Sequence, residues 1–154
     1  MIRKALFLVG CAGGLAGAVC AEPLEKPASA STAAAQRAIS ESLPKEDGRD
    51  SGFADRGFIT TLSDPLIKAK DGKVVWNLEA YDWMKGNTAP GSVNPSLWRH
   101  MGLLRKHGLF ALSENMWQVR GFDVSNMTVI KGQSGWILID PLTTRETAGA
   151  ALRL

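Results

Sequence analysis

Alternation of apolar and polar positions predicts a β-hairpin followed by an irregular segment in the first half of the chain. Residues 67–76 read IKAKDGKVVW, with two extended runs on either side of Asp71-Gly72. An Asp-Gly pair suits the positive φ of a tight hairpin turn. Residues 81–95 contain Gly and Pro at several positions, and these breakers predict an irregular connection.

A helix is predicted over residues 95–107. Asn94 can accept hydrogen bonds from the first free amides of this helix, and Pro95 suits its first turn. Gly108 is a typical C-terminal stop. Apolar side chains recur at helical spacing at Leu97, Met101 and Leu104.

Two strands and a final helix are predicted after the 95–107 helix. Residues 127–130 form a short apolar run, and residues 136–139 read WILI, a continuous apolar run typical of a strand that is buried on both faces. Thr143 and Glu146 have the Thr-x-x-Glu spacing of a capping box, which predicts a helix beginning there.

The first 50 residues have a different composition. Residues 1–21 combine a basic start, an apolar stretch and a small-residue cleavage site after Ala21, which together predict a secretory signal peptide. A membrane anchor or a lipoprotein signal ending at Cys11 are the alternatives. Residues 22–50 are rich in Ala, Ser, Pro and charge, and we expect a disordered, mobile leader there, with a short amphipathic helix near residues 36–43 as the alternative.

The charge and the cysteine content of the chain limit the kinds of function that can be expected of it. Of 18 basic residues, Arg3 and Lys4 lie in the predicted signal, which leaves 16 basic against 15 acidic residues. A near-neutral mature chain gives no reason to expect nucleic-acid binding. Cys11 and Cys20 also lie in the signal, so the mature chain would have no disulfide and no thiolate metal ligand.

Few residues are candidates for chemistry. His100 and His107 are seven positions apart, which on a helix is about 10 Å of rise and too far for one shared metal ion. We interpret His107 as a charge near a helix C-terminus. Arg120 and Asp123 could form a local ion pair, or Arg120 could face an anionic site; we favour the structural interpretation.

Other polar and aromatic residues receive structural interpretations as well. Ser125 and Asn126 are expected to satisfy backbone groups of a turn. The five tryptophans are interpreted mainly as packing residues, with Trp83 or Trp117 as the alternatives that could line a ligand site. They are Trp76, Trp83, Trp98, Trp117 and Trp136.

Several strings, in one order, resemble the N-terminal part of linear alkyl sulfatases in the metallo-β-lactamase superfamily. They are ADRGFI (54–59), VNPSLWRHMGLL (93–104), HGLF (107–110), MWQVRGFDVSNMT (116–128) and GWILIDPLTTRETA (135–148). The resemblance implies an α+β fold, in which a hairpin-and-helix extension (51–112) precedes the first strands and helix of an incomplete αββα sandwich (113–154).

The same resemblance implies an enzyme that hydrolyses alkyl sulfate esters such as dodecyl sulfate in the periplasm or outside the cell. Family members bind two zinc ions through a His-x-His-x-Asp-His motif and form homodimers. The resemblance places that motif after Leu154, so we expect no metal ligand and no catalytic residue in this chain. Asp140 matches an acidic residue that supports the metal loop through hydrogen bonds.

The resemblance leads to two hypotheses. The first is that the chain is a fragment of such a sulfatase and is inactive by itself. The second is a non-catalytic exported module that binds amphiphiles or complements a separately supplied remainder. In either case, residues 136–139 are expected to lack neighbours and to leave an aggregation-prone edge, so that the isolated chain would be marginally stable or partly molten.

Overall fold

The computed structural model describes residues 27–154, which form helices and two antiparallel sheets. The signal peptide predicted over residues 1–21 lies outside the described residues. Within 27–154, no helix combines the length and apolar composition needed to cross a membrane. The elements in chain order are α1 (Ala30–Ser42), α2 (Arg49–Asp55), β1 (Phe58–Thr60), β2 (Leu66–Lys68), β3 (Val74–Asn77), a 3-10 turn (Asp82–Met84), α3 (Pro95–Leu104), β4 (Gly108–Ser113), β5 (Met116–Arg120), β6 (Met127–Lys131), β7 (Trp136–Ile139) and α4 (Arg145–Ala151).

The larger sheet has five strands in the order β1-β4-β5-β6-β7, and each neighbouring pair is antiparallel. The predicted hairpin forms as β2 and β3, which pair as a separate two-stranded sheet around the Asp71-Gly72 turn. Gly72 has φ +85°, the left-handed conformation expected for this turn. The α+β class expected from the sequence is therefore confirmed.

One face of the larger sheet carries the main hydrophobic core. Phe122 and Met127 are completely buried, and Val119 is 2% exposed. Ala150 and other small residues of α4 pack in the same cluster, as does Ile67 of the hairpin. The final helix and the hairpin thus share one core with strands β5 and β6.

Helix α3 begins where the sequence predicts and ends earlier. The Asn94 side chain accepts hydrogen bonds from the amides of Ser96 and Leu97 at 2.9 and 3.2 Å, which is the expected cap. The predicted end at residue 107 is wrong, because α3 ends at Leu104 and the chain enters β4 at Gly108. The φ of Gly108 is +135°, and a Cβ there would lie 2.5 Å from the Thr60 carbonyl oxygen, so β1 and β4 approach each other only with glycine at this position.

The N-terminal segment differs from the disordered leader predicted for residues 22–50. Residues 30–42 form α1, whose N-cap Ser29 accepts a hydrogen bond from the amide of Thr32 at 3.1 Å. Helix α1 contacts α3, and no residue of α1 is buried. Alanine has the highest helix propensity, which explains a helix that forms with so little burial.

The boundary expected between residues 51–112 and 113–154 does not divide the larger sheet. Strand β4 pairs with β5 from Gly108↔Arg120 to Ser113↔Met116, and β1 pairs with the other edge of β4. The two predicted segments therefore contribute strands to the same sheet.

Strand β7 forms where it was predicted. The expectation that it is buried is wrong for the described residues, whereas the expectation that it lacks a neighbour and leaves an exposed edge is confirmed there. Its four side chains are between 41% and 59% exposed. The reason is its position: β7 pairs with β6 on one side and is the last strand of the sheet. Strand β7 therefore lies at the edge of the sheet, although its uninterrupted apolar composition is typical of a central strand.

The cap of α4 lies one residue later than predicted. Thr144, rather than Thr143, is the N-cap, and its hydroxyl accepts a hydrogen bond from the amide of Thr147 at 3.0 Å. The Thr143 side chain is instead directed to a carboxylate on a different loop, Asp123. Thr143 thus makes a tertiary hydrogen bond to a charged partner, while Thr144 supplies the local cap.

Candidate functional site

Asp140, the predicted support residue, lies at the end of β7. Its carboxylate accepts hydrogen bonds from the Ser125 hydroxyl at 3.1 Å and from the Leu142 amide at 3.3 Å. Ser125 belongs to the loop between β5 and β6, so Asp140 connects that loop to the loop between β7 and α4. The side chain remains exposed.

The loop after β7 has an unusual backbone. Asp140 has φ +53° and Leu142 has φ +71°. Asp tolerates this left-handed conformation through local hydrogen bonds, whereas a leucine in it costs about 1 kcal/mol. Leu142 packs against the core cluster. Tertiary packing and the Asp140 hydrogen bonds therefore hold a turn that the local sequence disfavours.

Asp123 connects the same two loops more strongly. Its carboxylate accepts hydrogen bonds from the Thr143 amide at 2.9 Å, the Thr143 hydroxyl at 2.7 Å and the Thr147 hydroxyl at 2.8 Å. It also accepts one from the Val124 amide at 2.7 Å. Asp123 is 7% exposed and Thr147 is fully buried. The first turn of α4 is thereby attached to the β5–β6 loop.

The ionisation of Asp123 follows from these contacts. Burial opposes a negative charge, but the hydrogen bonds from Thr143, Thr147 and the Val124 amide outweigh it and hold the pKa of Asp123 below its ordinary value. Asp123 is therefore a carboxylate at neutral pH. A charged, fully hydrogen-bonded and buried side chain of this kind positions its neighbours rather than reacting.

Arg120 does not form the ion pair with Asp123 that its sequence position allowed. Its guanidinium lies over the Phe110 ring, 4.4 Å from the centroid. Its Nε donates to Gln118 at 2.8 Å, and an Nη group lies 3.5 Å from the Ala54 carbonyl oxygen. The predicted ion pair is therefore wrong, and the main contacts of Arg120 are with Phe110 and Gln118 of the same sheet.

The two histidines lie in different surroundings. His107 is half-buried, with Nδ1 2.8 Å from the Thr61 hydroxyl, and His100 is exposed on α3. Within residues 27–154, no three His, Cys, Asp or Glu side chains lie close enough together to hold a metal ion. A zinc site needs at least three such ligands.

Three of the tryptophans, Trp76, Trp98 and Trp117, are partly buried, whereas Trp83 and Trp136 are 58% and 59% exposed, so the packing interpretation is wrong for Trp136. The Trp76 indole donates to the Gly121 carbonyl at 2.7 Å, and Trp83 meets Trp98 edge-on at 5.5 Å between ring centroids. Trp117 and Trp136 lie 5.9 Å apart on the face of the sheet that carries α4.

An apolar groove of about 470 Å³ lies beside that last pair, and we call it the β7 groove. Its walls are formed by residues of β4, β5, β6 and β7, by the last residue of α4 and by residues that follow α4, and only apolar residues line it. They are Leu109, Trp117, Val119, Met127, Val129, Trp136, Leu138, Ala151, Leu152 and Leu154. Trp117 was named from the sequence as a residue that could line a ligand site, and the exposed edge beside the groove was expected, but the groove itself was not predicted.

Comparison with known proteins identifies the relatives of this chain. An alkyl/aryl-sulfatase of Saccharomyces cerevisiae is 45% identical over 124 residues, which are 80% of this chain and 19% of that protein. A linear primary-alkylsulfatase of Pseudomonas sp. is 39% identical over 149 residues, 96% of this chain and 22% of that protein. An (R)-specific secondary-alkylsulfatase of Pseudomonas sp. is 46% identical over 137 residues, 88% of this chain and 20% of that protein.

The fold agrees with these relatives. A solved structure of a stereoselective inverting sec-alkylsulfatase from Pseudomonas sp. matches with a TM-score of 0.76 and 46% identity, over 83% of this chain and 20% of the solved chain. No protein-family model matches the chain. The resemblance found in the sequence is confirmed by these proteins: the chain belongs to the alkylsulfatase family and spans about a fifth of the length of its relatives.

Proposed function

We propose that this chain is part of a zinc-dependent alkylsulfatase that hydrolyses linear alkyl sulfate esters, of the dodecyl sulfate type, to an alcohol and sulfate. The observation that carries the proposal is 39–46% identity to three proteins whose names specify alkyl sulfates. Export through residues 1–21, two zinc ions and a homodimer in the complete enzyme are part of the same proposal.

In this proposal, residues 27–154 hold neighbouring loops in position and do not carry out the reaction themselves. Asp123 and Asp140 attach the loop after β5 to the loop after β7, and Thr147 fastens α4 to both. Residues that orient metal ligands from outside the coordination sphere affect activity without touching the metal. We propose that Asp140 does this for a metal loop contributed by other residues of the complete enzyme.

We further propose that the 154-residue chain alone releases no sulfate. Activating water for ester hydrolysis at neutral pH requires a bound metal with an open coordination position. The described residues bring no three metal-binding side chains together. The chain would depend on the rest of an alkylsulfatase for its metal.

A chimera tests the proposal. Residues 27–154 replace the matched part of the Pseudomonas secondary-alkylsulfatase, and sulfate release is measured from dodecyl sulfate and from a secondary alkyl sulfate, with zinc present. We expect turnover by the chimera and none by the isolated chain. A folded chimera that is inactive with both esters, beside an active unaltered parent, would contradict the family function; turnover by the isolated chain would contradict its inactivity.

A second candidate is a non-catalytic module that binds amphiphiles. The β7 groove favours it, because an apolar groove beside Trp117 and Trp136 suits an alkyl chain. Calorimetry with dodecyl sulfate below its micelle concentration separates the candidates. Saturable binding at one site, weakened by Trp136→Ala, is expected of the module, whereas only unsaturable detergent binding is expected of a sulfatase fragment.

A further inference from the structure

A cleft of about 410 Å³ lies between the hairpin and the last helix, and we call it the α4 cleft. Residues between Leu62 and Lys70 line one side of it, and residues of α4 together with Arg153 line the other. Ile67 of the hairpin and Ala150 of α4 belong to the same core cluster. Close packing of that core therefore holds the two sides of the cleft at a fixed separation.

Four basic side chains line the α4 cleft. Lys68 and Lys70 come from the hairpin, and Arg145 and Arg153 come from the first position of α4 and from the residues that follow it. The ion pairs among the described residues involve none of these four cations. Like charges that share a cleft repel one another and attract anions, so a bound anion would stabilise this arrangement.

The acidic residues of the cleft neutralise only half of this charge. Asp64 and Glu146 also line it, so that four basic and two acidic residues leave a formal charge of +2. The Asp64 carboxylate already accepts a hydrogen bond from the Leu66 amide at 3.0 Å. Because the chain without the predicted signal is near neutral, its excess of positive charge is concentrated in this cleft.

The α4 cleft also has room for an anion beside its cations. A Cβ built on Gly149 would lie 3.9 Å from Nη1 of Arg153, which places this guanidinium beside the middle of α4. Ile67 is 5% exposed and Leu66 is half-buried, so apolar side chains lie next to the basic ones. Charges in such surroundings interact more strongly than charges in open water.

We infer that the α4 cleft binds inorganic sulfate, the anion that the proposed reaction releases. The formal charge of +2 matches a dianion, whereas an alkyl sulfate ester carries a single negative charge. Guanidinium groups donate paired, charge-assisted hydrogen bonds to oxyanions, and two of the four cations are arginines. The inference rests on the proposed function, because it takes the ligand from that reaction, and it adds a product-binding site built from residues of this chain.

A titration with sodium sulfate tests the site. The amide resonances of residues 66–70 and 145–149 in the 154-residue chain are followed by NMR at constant ionic strength, with sodium chloride replaced by sodium sulfate. We expect saturable shifts in both segments. Hexyl sulfate below its micelle concentration should bind at least about tenfold more weakly, because it has half the charge. Absence of saturable shifts with sodium sulfate would overturn the inference, and so would equal or tighter binding of hexyl sulfate.

Two pairs of substitutions locate the binding. Arg145→Gln combined with Arg153→Gln should weaken sulfate binding by about tenfold or more, because charge-assisted hydrogen bonds are lost. Arg37→Gln combined with Lys131→Gln is the matched control, since it removes the same charge from exposed positions outside the cleft. The control should change the affinity less than about twofold, because distant exposed charges are screened. Equal weakening by both pairs would show general charge attraction and overturn the site.

Gly149 offers a second test in which size is constant and only charge differs. The 3.9 Å separation from Arg153 leaves room for a side chain at this position. Gly149→Glu places a carboxylate among the four cations and should bind sulfate at least about fivefold more weakly than Gly149→Gln. Equal affinities of these two variants would contradict an anion site in the cleft.

The chimera distinguishes a failure of this inference from a failure of the proposed function. Sulfate binding needs no turnover. A folded, inactive chimera in which sulfate slows amide exchange at residues 66–70 would contradict the proposed function and support the α4 cleft. An active chimera in which sulfate leaves that exchange unchanged would overturn the α4 cleft and leave the proposed function supported.

Discussion

The carboxylate of Asp123 attaches two loops that are far apart in sequence, and it does so with neutral donors. Its partners Thr143 and Thr147 lie 20 and 24 residues further along the chain. The nearby Arg120 suggested a local ion pair with Asp123, but in the structure the Arg120 guanidinium lies over the Phe110 ring. The residue types predicted a polar contact here, and only the tertiary structure chose its partners.

Replacing Asp123 should therefore destabilise the chain strongly. Asp123→Ala removes a charged acceptor and leaves the buried Thr147 hydroxyl without it, which should lower the free energy of unfolding by about 3 kcal/mol. Thr147→Val removes one donor at similar shape and should cost about 1.5 kcal/mol. Urea denaturation measures both.

Glu114→Ala is the control for these variants, because Glu114 is exposed. It should change stability by less than about 0.5 kcal/mol. If Asp123→Ala were no more destabilising than Glu114→Ala, the attachment of α4 through Asp123 would be wrong.

His107 should make stability depend on pH. Burial is the largest influence and lowers the pKa of His107. The negative charges of Asp82 and Glu79 raise this pKa, and the positive charge of Arg105 lowers it. Because the folded pKa is lower than the unfolded value of about 6.5, the fold favours neutral imidazole. This contribution is complete above the unfolded value and is lost as pH falls through it.

The corresponding measurement is the free energy of unfolding between about pH 8 and pH 5 for the parent and for His107→Gln. The parent should lose stability relative to the variant across this interval. A constant difference between the two proteins would show that His107 does not titrate differently on unfolding. The residue was interpreted from sequence as a helix-end charge; α3 ends before it, and burial beside Thr61 reverses the expected preference for the charged form.

At the level of elements, α1 shows how far local propensity can act without a core. Its alanine-rich sequence forms a helix capped by Ser29, yet none of its residues is buried. The leader was expected to be mobile because it has too few large apolar groups to bury. That reasoning describes its packing correctly but underestimates what alanine propensity and one cap supply.

Helix α1 should consequently open at low free-energy cost. Amides of residues 33–42 should exchange much faster than those of β5, whose neighbours on both sides form hydrogen bonds with it. Ser29→Ala should remove about 1 kcal/mol from the stability of α1 and leave β5 exchange unchanged. Equal protection of α1 and β5 would contradict this account.

At the level of the whole molecule, the open β7 edge should control solubility. Ile139→Lys places a charge at the exposed edge, and lysine is a common protection against edge-to-edge association. The protein concentration at which light scattering appears should rise several-fold, while Val74→Lys in the hairpin should leave it unchanged. Similar gains from both variants would point to net charge rather than to the edge.

The apolar and polar pattern by itself determined the hairpin, the start of α3 and the strand at 136–139, because turn residues, caps and apolar runs act over a few positions. The family followed from the resemblance of whole sequence strings rather than from this pattern. Tertiary structure decided where α3 ends and which donors surround Asp123. Those outcomes depend on groups brought together from distant positions, such as Gly108 against Thr60 and Thr147 against Asp123. A short apolar run in the sequence indicates that its side chains should be covered by other residues. Only the folded sheet shows which neighbouring strands are present to cover them.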